Sequence, residues 1–403
     1  MSIAISIREW WQWSYAQICT FLYFDRVTLV GEASVPEGPV LFLGIHRNGI
    51  LDALVYSNVL GRMTFVLAKR LHKTLPGRIL FGGIGVVRDK DDATRDGNRK
   101  ALKLCRTYLA HGRHIFMFPE GTSSLGPRLL EIKPGAAKIA LSALRARPDL
   151  KVIPVAVSYE RAWGFRSRAE VRPGSPIDLA DILLQPKSER FAMVQQRIEA
   201  ALHEIASEFE TETAQEASEI AGNVGRAAGA GSHSTCVKAC AVETTPQLEE
   251  RWQSLKRASE AAGAKRYNRV PLVPGGSIHT HTLTLIGLGP WVAFMLAANV
   301  PVLIAARLLA ARLADDRNVI SLYRLLVGLP LMILWGGLTL VAFVWLGQPW
   351  IWAISLSLSL IGLGSYDTVK RSWTVLWNRT RSAQFQPEFE AFMRAVGVNP
   401  AFV

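Results

Sequence analysis

The run Val40-Leu41-Phe42-Leu43-Gly44-Ile45-His46-Arg47-Asn48-Gly49-Ile50-Leu51-Asp52 passes from wholly apolar to polar and back to apolar. Val40 to Leu43 reads as a buried strand, and a helix pattern opens near Ile50. His46 and Asp52 are the chemical pair between them. On one continuous helix, six residues make about 600° of rotation, which leaves two side chains about 120° apart. A strand-to-helix turn must therefore separate them, with Gly49 supplying the flexible backbone, so that Asp52 swings back toward the imidazole. An Asp bonded to one ring nitrogen leaves the other free as a base. Taken alone, the pair reads first as a structural histidine at a strand end beside a surface carboxylate, and only second as chemistry.

A second turn favours the chemical reading. Phe118-Pro119-Glu120-Gly121-Thr122-Ser123 follows the apolar strand His114 to Phe118 and places a carboxylate, a glycine and a hydroxyl at another strand end. In open α/β sheets ligands bind at the carboxyl ends of strands, so both turns can line one crevice. The rest of the first 210 residues alternates in the same way. Strands are expected at Arg26 to Val30, Thr64 to Ala68, Ile84 to Arg88 and Val152 to Ser158, and helices at Ile50 to Leu60, Thr94 to Ala110, Pro134 to Leu144 and Glu189 to Phe209. Helices between strands imply parallel pairing. The expected fold is therefore α/β, a mixed and mostly parallel sheet flanked by helices, followed by a C-terminal helical membrane region. Arg88, at the end of its strand, can grip a phosphate through two parallel hydrogen bonds, or pair with Asp89, Asp91 and Asp92 beside it.

The His and Asp pair followed by Phe118-Pro119-Glu120-Gly121-Thr122 resembles the glycerolipid acyltransferase superfamily, which includes glycerol-3-phosphate and lysophosphatidate acyltransferases. Gly82-Gly83-Ile84-Gly85-Val86-Val87-Arg88 and Val152-Ile153-Pro154-Val155-Ala156 are similar to two further blocks of that family, in the same order. The five residues between His46 and Asp52, where most members have four, look like the spacing of fungal-type glycerol-3-phosphate or dihydroxyacetone-phosphate acyltransferases. Ser123 stands where many members carry Arg. The resemblance implies transfer of a fatty acyl group from acyl-CoA or acyl carrier protein to a phosphorylated glycerol acceptor, with these thioesters as co-substrates and no other cofactor or metal. It implies His46 as general base and Asp52 as its orienting carboxylate. Arg88 falls to the acceptor phosphate, and Glu120, Gly121 and Thr122 to the glycerol hydroxyls and the shape of the crevice. No Gly-x-Ser-x-Gly elbow for a covalent intermediate is present.

Composition places this domain beside a bilayer. The chain has 403 residues, 49% of them hydrophobic, with 46 Lys and Arg against 33 Asp and Glu, a net +13. That charge suits nucleic acid or an anionic bilayer surface, and the apolar segments select the bilayer, so no nucleic acid partner is expected. Cys19, Cys105, Cys236 and Cys240 offer no disulfide framework, and Cys236 with Cys240 lacks a second ligand pair for a metal. Residues 1–25 are expected as an interfacial helix, because Trp10, Trp11, Trp13, Tyr15 and Tyr23 suit the headgroup level; packing on the core is the other reading. Arg8 and Glu9 interrupt any cleavable signal pattern there. The resemblance implies residues 26–210 as the acyltransferase domain. Residues 211–246, rich in Ala, Gly, Ser, Thr and Glu, are expected as a flexible linker, and residues 247–282 as a charged helix and connector.

Residues 283–367 hold three apolar segments, Leu283 to Ala306, Leu325 to Gly347 and Trp350 to Tyr366. Gly287, Gly289, Pro290, Asn299 and Pro301 interrupt the first. It is expected to re-enter, and the other two to form a crossing hairpin. The basic clusters at Arg307, Arg312, Arg317 and Arg324 and at Lys370, Arg371, Arg379 and Arg381 then lie inside, with the catalytic domain facing the cytoplasm and residues 368–403 as a cytoplasmic tail. The rival reading is a non-catalytic membrane protein for lipid binding or transport.

Overall fold

The computed structural model describes residues 2–31, 36–69, 71, 80, 82–87, 95–227, 229, 231–243, 246–272, 278–314 and 317–397. The chain divides into two compact units, residues 1–21, 27–158 and 169–208, and residues 22–26, 159–168 and 209–403. The strands are β1 (Phe24–Leu29), β2 (Val40–Gly44), β3 (Thr64–Ala68), β4 (Ile84–Val86), β5 (Ile115–Met117), β6 (Lys151–Tyr159) and β7 (Ser167–Pro173). They form a seven-stranded sheet in the order β1-β7-β6-β2-β5-β3-β4. Parallel registers set Leu43 beside Met117 and Pro154, and Phe65 beside Phe116. β2 lies between β5 and β6 and is buried at all five positions, which is why it reads as an unbroken apolar run and not as an alternation.

Helices α1 (Ser2–Tyr23), α2 (Ile50–Leu60), α3 (Arg95–Ala110), α4 (Gly135–Leu144) and α5 (Arg190–Ile205) accompany the sheet. The apolar faces of α3, α4 and α5 close a core around Leu41, Leu43, Ile115, Val152, Ala140 and Ile198, all fully buried. A fully buried aliphatic side chain of this kind contributes about 1.5–3 kcal/mol. Gly44 ends β2 because a Cβ there would lie 2.3 Å from the Phe116 ring. β7, in which Arg168, Glu170 and Arg172 alternate with Ala169 and Val171, is absent from the sequence expectation. It turns back along β6, as the bonds from Glu160 N–H to the Arg168 carbonyl (3.2 Å) and from Gly174 N–H to the Pro154 carbonyl (2.8 Å) show.

α1 packs one face inward and leaves another exposed. Tyr15, Ala16 and Cys19 are buried, and Glu9 ties the helix down by accepting from the Thr64 hydroxyl and from Arg113 at 2.8 Å. Ile7, Trp10, Trp11, Ile18 and Phe21 form an exposed apolar stripe at helical spacing on another face.

The second unit departs most from expectation. Residues 211–246 contain two helices, α6 (Glu212–Ala227) and α7 (His233–Glu243), where a flexible linker was expected. Thr211 starts α6 by accepting the Ala214 N–H on its hydroxyl at 3.0 Å. Ala217, Ile220, Ala221 and Val224 then pack with Leu248, Trp252 and Leu255 of α8 (Pro246–Ala261). The small residues that lowered the apolar signal are what let this helix approach closely. In the C-terminal segment, Phe389, Phe392 and Met393 of the last helix lie in the same core.

The apolar region comprises α9 (Ile278–Ala298), α10 (Val300–Leu313), α11 (Ile320–Trp345) and α12 (Pro349–Asn378), and α13 (Gln386–Ala395) ends the chain. Among the described residues, three helices, Ile278–Ala298, Arg317–Trp345 and Pro349–Asn378, are long and apolar enough to cross a membrane. Pro290 sits inside α9, and the break falls at Asn299 instead of at the Gly287 to Pro290 cluster. α9 runs antiparallel to α12. His281 meets Ser372 at 3.1 Å near one end, Gly362 lies against the Trp291 carbonyl and Met295 in the middle, and Asn299 meets Ser359 at 3.4 Å. The end of α9 reaches only partway along α11, where the Trp335 indole donates to the Ala298 carbonyl at 2.9 Å. From there α10 turns back, with Ala306 against Gly328. α11 continues ten residues past Trp335, about 15 Å, before the turn into α12.

Candidate active site

β2 delivers the chain to a turn at residues 45–49, fixed at its start by the Ile45 N–H bond to the Val155 carbonyl, 2.9 Å. Gly49 has φ 55° and ψ −145°, a conformation that side chains disfavour, and α2 begins at the next residue. Asp52, in the first turn of α2, points back over the helix start. Its Oδ2 accepts the Arg47 N–H at 2.7 Å, the Asn48 N–H at 2.8 Å and His46 Nδ1 at 2.9 Å. An N-terminal carboxylate receiving backbone N–H groups is favoured by the helix dipole as well. Asp52 is fully buried, whereas 14% of the His46 side chain is exposed. Donation from Nδ1 leaves Nε2 as the ring's free basic nitrogen.

The second turn braces the first. Glu120 is 5% exposed. One of its carboxylate oxygens accepts the His46 N–H at 2.8 Å, and the other accepts the Leu130 N–H at 3.0 Å. Burial pushes its carboxyl above the usual glutamate range, against the lowering effect of these two donors. These bonds engage both carboxylate oxygens and join the two turns. Gly121, with φ 71°, closes the turn through its N–H to the Phe118 carbonyl at 3.1 Å; it is exposed, and Thr122 beside it is half-buried. His46, Asp52, Glu120, Gly121 and Thr122 are therefore brought together.

Arg88 lies outside the described residues. The chain just before it is anchored, since the Asn98 amide accepts the Val87 N–H at 2.9 Å and donates to the Val87 carbonyl at 2.8 Å.

Three further residues shape the site without having been singled out in the sequence. Phe118 stacks on the His46 imidazole, centroids 3.9 Å apart and planes 16° from parallel, which fixes the ring's face. Tyr56, one helical turn beyond Asp52, is fully buried and donates to the Ile45 carbonyl at 2.9 Å. Burial, then the negative charges of Asp52 and Glu120, hold its hydroxyl protonated well beyond the usual range. Arg47 donates to the Gly126 carbonyl at 2.8 Å and ties the two turns together from the other side. The i, i+4 spacing of Asp52 and Tyr56 was the available signal for one of these.

The buried carboxylate and the partly exposed histidine that it orients lie within residues 26–158, which match the family model described as Acyltransferase. The chain is 27% identical to glycerol-3-phosphate O-acyltransferase 1 of Saccharomyces cerevisiae over 217 residues, covering 41% of this chain and 29% of that protein. It is 28% identical to a 1-acyl-sn-glycerol-3-phosphate acyltransferase of Chlamydomonas reinhardtii over 204 residues, 49% of this chain and 57% of that one. It thus spans less than two thirds of either relative. The crystal structure of a 1-acyl-sn-glycerophosphate acyltransferase from Thermotoga maritima is similar over 50% of this chain and 79% of that one, at 18% identity and a TM-score of 0.33.

Proposed function

We propose that this chain is a membrane-bound O-acyltransferase that moves a fatty acyl group from acyl-CoA or acyl carrier protein to glycerol-3-phosphate or 1-acylglycerol-3-phosphate. The observation that carries the reading is the Asp52 carboxylate, fully buried and bonded to His46 Nδ1 at 2.9 Å. His46 Nε2 takes the proton of the acceptor hydroxyl as that oxygen attacks the thioester carbonyl. Asp52 holds the tautomer and stabilises the imidazolium. As the carbon–sulfur bond breaks, the imidazolium returns the proton to the departing thiolate. Arg88 holds the acceptor phosphate, Gly121 and Thr122 line the acceptor side, and Glu120 keeps the two turns in register.

A positioned base contributes about 10²- to 10⁴-fold. With purified full-length protein and labelled acyl-CoA, His46→Ala should therefore lose about 10²-fold or more in turnover while the melting temperature changes little. Retention of more than about a tenth of the activity would sink the assignment. In the same assay Arg88→Lys should raise the KM for the phosphorylated acceptor far more than for the donor, because an ammonium lacks the bidentate fork. Equal effects on both substrates would make Arg88 a structural cation.

The helix packing supports two crossings, α11 and α12, with α9 and α10 as a re-entrant pair that ends partway along α11. The basic residues at Arg307, Arg312, Arg317 and Arg324 and at Lys370, Arg371, Arg379 and Arg381 then face the cytoplasm, as does the catalytic domain, since both donors reside there. In a protein with its native cysteines replaced, an impermeant thiol reagent on intact cells should label Gln348→Cys and spare Arg312→Cys. Labelling at position 312 from outside would refute the two-crossing arrangement.

A further inference from the structure

The second unit holds a group of arginines that differ in how their charges are met. Arg166 and Arg168 pair with Asp25 at 3.3 and 3.0 Å, Arg226 pairs with Glu160, and Arg269 pairs with Glu216 at 3.3 Å. Arg161 does not follow this pattern. It is half-buried, yet among the described residues no carboxylate or carbonyl reaches its guanidinium, which lies 6.0 Å from the centre of the Trp163 ring. Arg324 has no carboxylate partner among the described residues either, and it donates to the Trp163 carbonyl at 2.8 Å. Arg317 approaches the same indole at 5.8 Å.

Burying a guanidinium without an anion is costly, and the neighbouring Arg324 cation adds repulsion. Burial pushes the ionisation of Arg161 down, and the like charges of Arg324 and Arg269 push it further. The loop is held in place regardless. The Ser321 hydroxyl donates to the Ala162 carbonyl at 2.9 Å, next to the Arg324 bond to Trp163, so the start of α11 grips two successive carbonyls. Phe165 packs edge-on against Tyr366 of α12 at 5.5 Å. The arrangement is preorganised for an anion with several acceptor oxygens.

Its depth selects the source of that anion. Arg324 immediately precedes the apolar run of α11, and Tyr366 closes the apolar run of α12. Further along α11, Ile333, Leu334 and Leu338 are exposed apolar surface. Cations here, with apolar surface on one side only, match a lipid headgroup with its chains beside the helices.

We propose that Arg161 and Arg324, assisted by Arg317 at the Trp163 indole, form a binding site for the phosphate monoester headgroup of a lipid. This rests on the membrane placement above but not on the acyl-transfer chemistry. The test uses full-length protein in nonionic detergent and native mass spectrometry, with phosphatidate, phosphatidylcholine or inorganic phosphate added. Wild type should retain phosphatidate in preference to phosphatidylcholine. The R161Q/R324Q double variant should bind that phosphatidate about tenfold or more weakly, because two charge-assisted contacts are lost, while R161K keeps most of it. In lipid-free detergent R161Q should melt no lower than wild type, since it removes an unpaired charge; a marked drop would make Arg161 a structural cation and overturn the proposal. Unchanged phosphatidate affinity in the double variant would overturn it too, and inorganic phosphate binding as tightly as phosphatidate would overturn the lipid assignment. A phosphatidate held in the crevice near His46 is a separate adduct, indifferent to R161Q. Loss of that adduct alone would count against the proposed acyl transfer and leave this site standing.

Discussion

The turn at residues 46–52 and the helices at residues 211–243 are both built around small or polar residues, yet one was legible in the sequence and the other was not. In the turn, the partners of Asp52 lie within six residues of it, and the chain itself delivers them: the Arg47 and Asn48 N–H groups and the His46 ring. α6 finds its partners elsewhere, in Trp252, Tyr267 and Phe392. Local chemistry can be read from local sequence. A helix of alanines and glycines acquires its meaning from whatever large side chains arrive to cover it.

Trp252→Ala tests that dependence most severely. Trp252 is fully buried at the centre of the core that α6 shares, so its loss should cost about 3–5 kcal/mol of that unit's stability. Hydrogen exchange along residues 212–227 should accelerate with it. Protection unchanged there would mean that α6 stands by itself, and the contrast with the turn would fail.

Glu120→Gln probes the self-contained region. Each carboxylate oxygen accepts a backbone N–H, and an amide can accept only one of them, so the variant should lose about 1–3 kcal/mol. The loss should depend on pH. The folded-state ionisation of Glu120 is raised above its ordinary 4.5, so its contribution is full below that value and declines as pH rises through the folded one. The stability gap between wild type and variant should therefore be widest near pH 4 and narrow toward neutrality, as thermal melts across that range would record. A gap that widened with pH would show that the two donors outweigh burial.

The smallest expected effect sharpens the comparison at the start of α6. Thr211→Ala removes one cap and should cost about 1 kcal/mol in urea unfolding, with Thr211→Ser restoring most of it. No loss would leave the tertiary contacts as the whole reason that the helix begins where it does.

Much of the α/β core was readable for the same reason as the turn. β2 and α2 fall at the expected residues because buried parallel strands are continuously apolar and Gly49 marks the change of direction. The pairing of His46 with Asp52 followed from rotation along a helix. Phe118 on the imidazole and the bond from the His46 N–H to Glu120 did not follow, because each depends on two strand ends meeting side by side in the sheet.

The sequence by itself determined the alternation of strands and helices in the first 210 residues apart from β7, the His46 and Asp52 pair, and the two apolar stretches that form the α11 and α12 hairpin. Each is specified by residues only a few positions apart, through periodicity, glycine punctuation or an unbroken apolar run. Tertiary structure decided what residues 211–246 become, where α9 stops against Trp335, and which arginines find a carboxylate. In those cases the deciding partner lies tens to hundreds of residues away, and burial, the term that outweighs local propensity, exists only once the chain has brought them together.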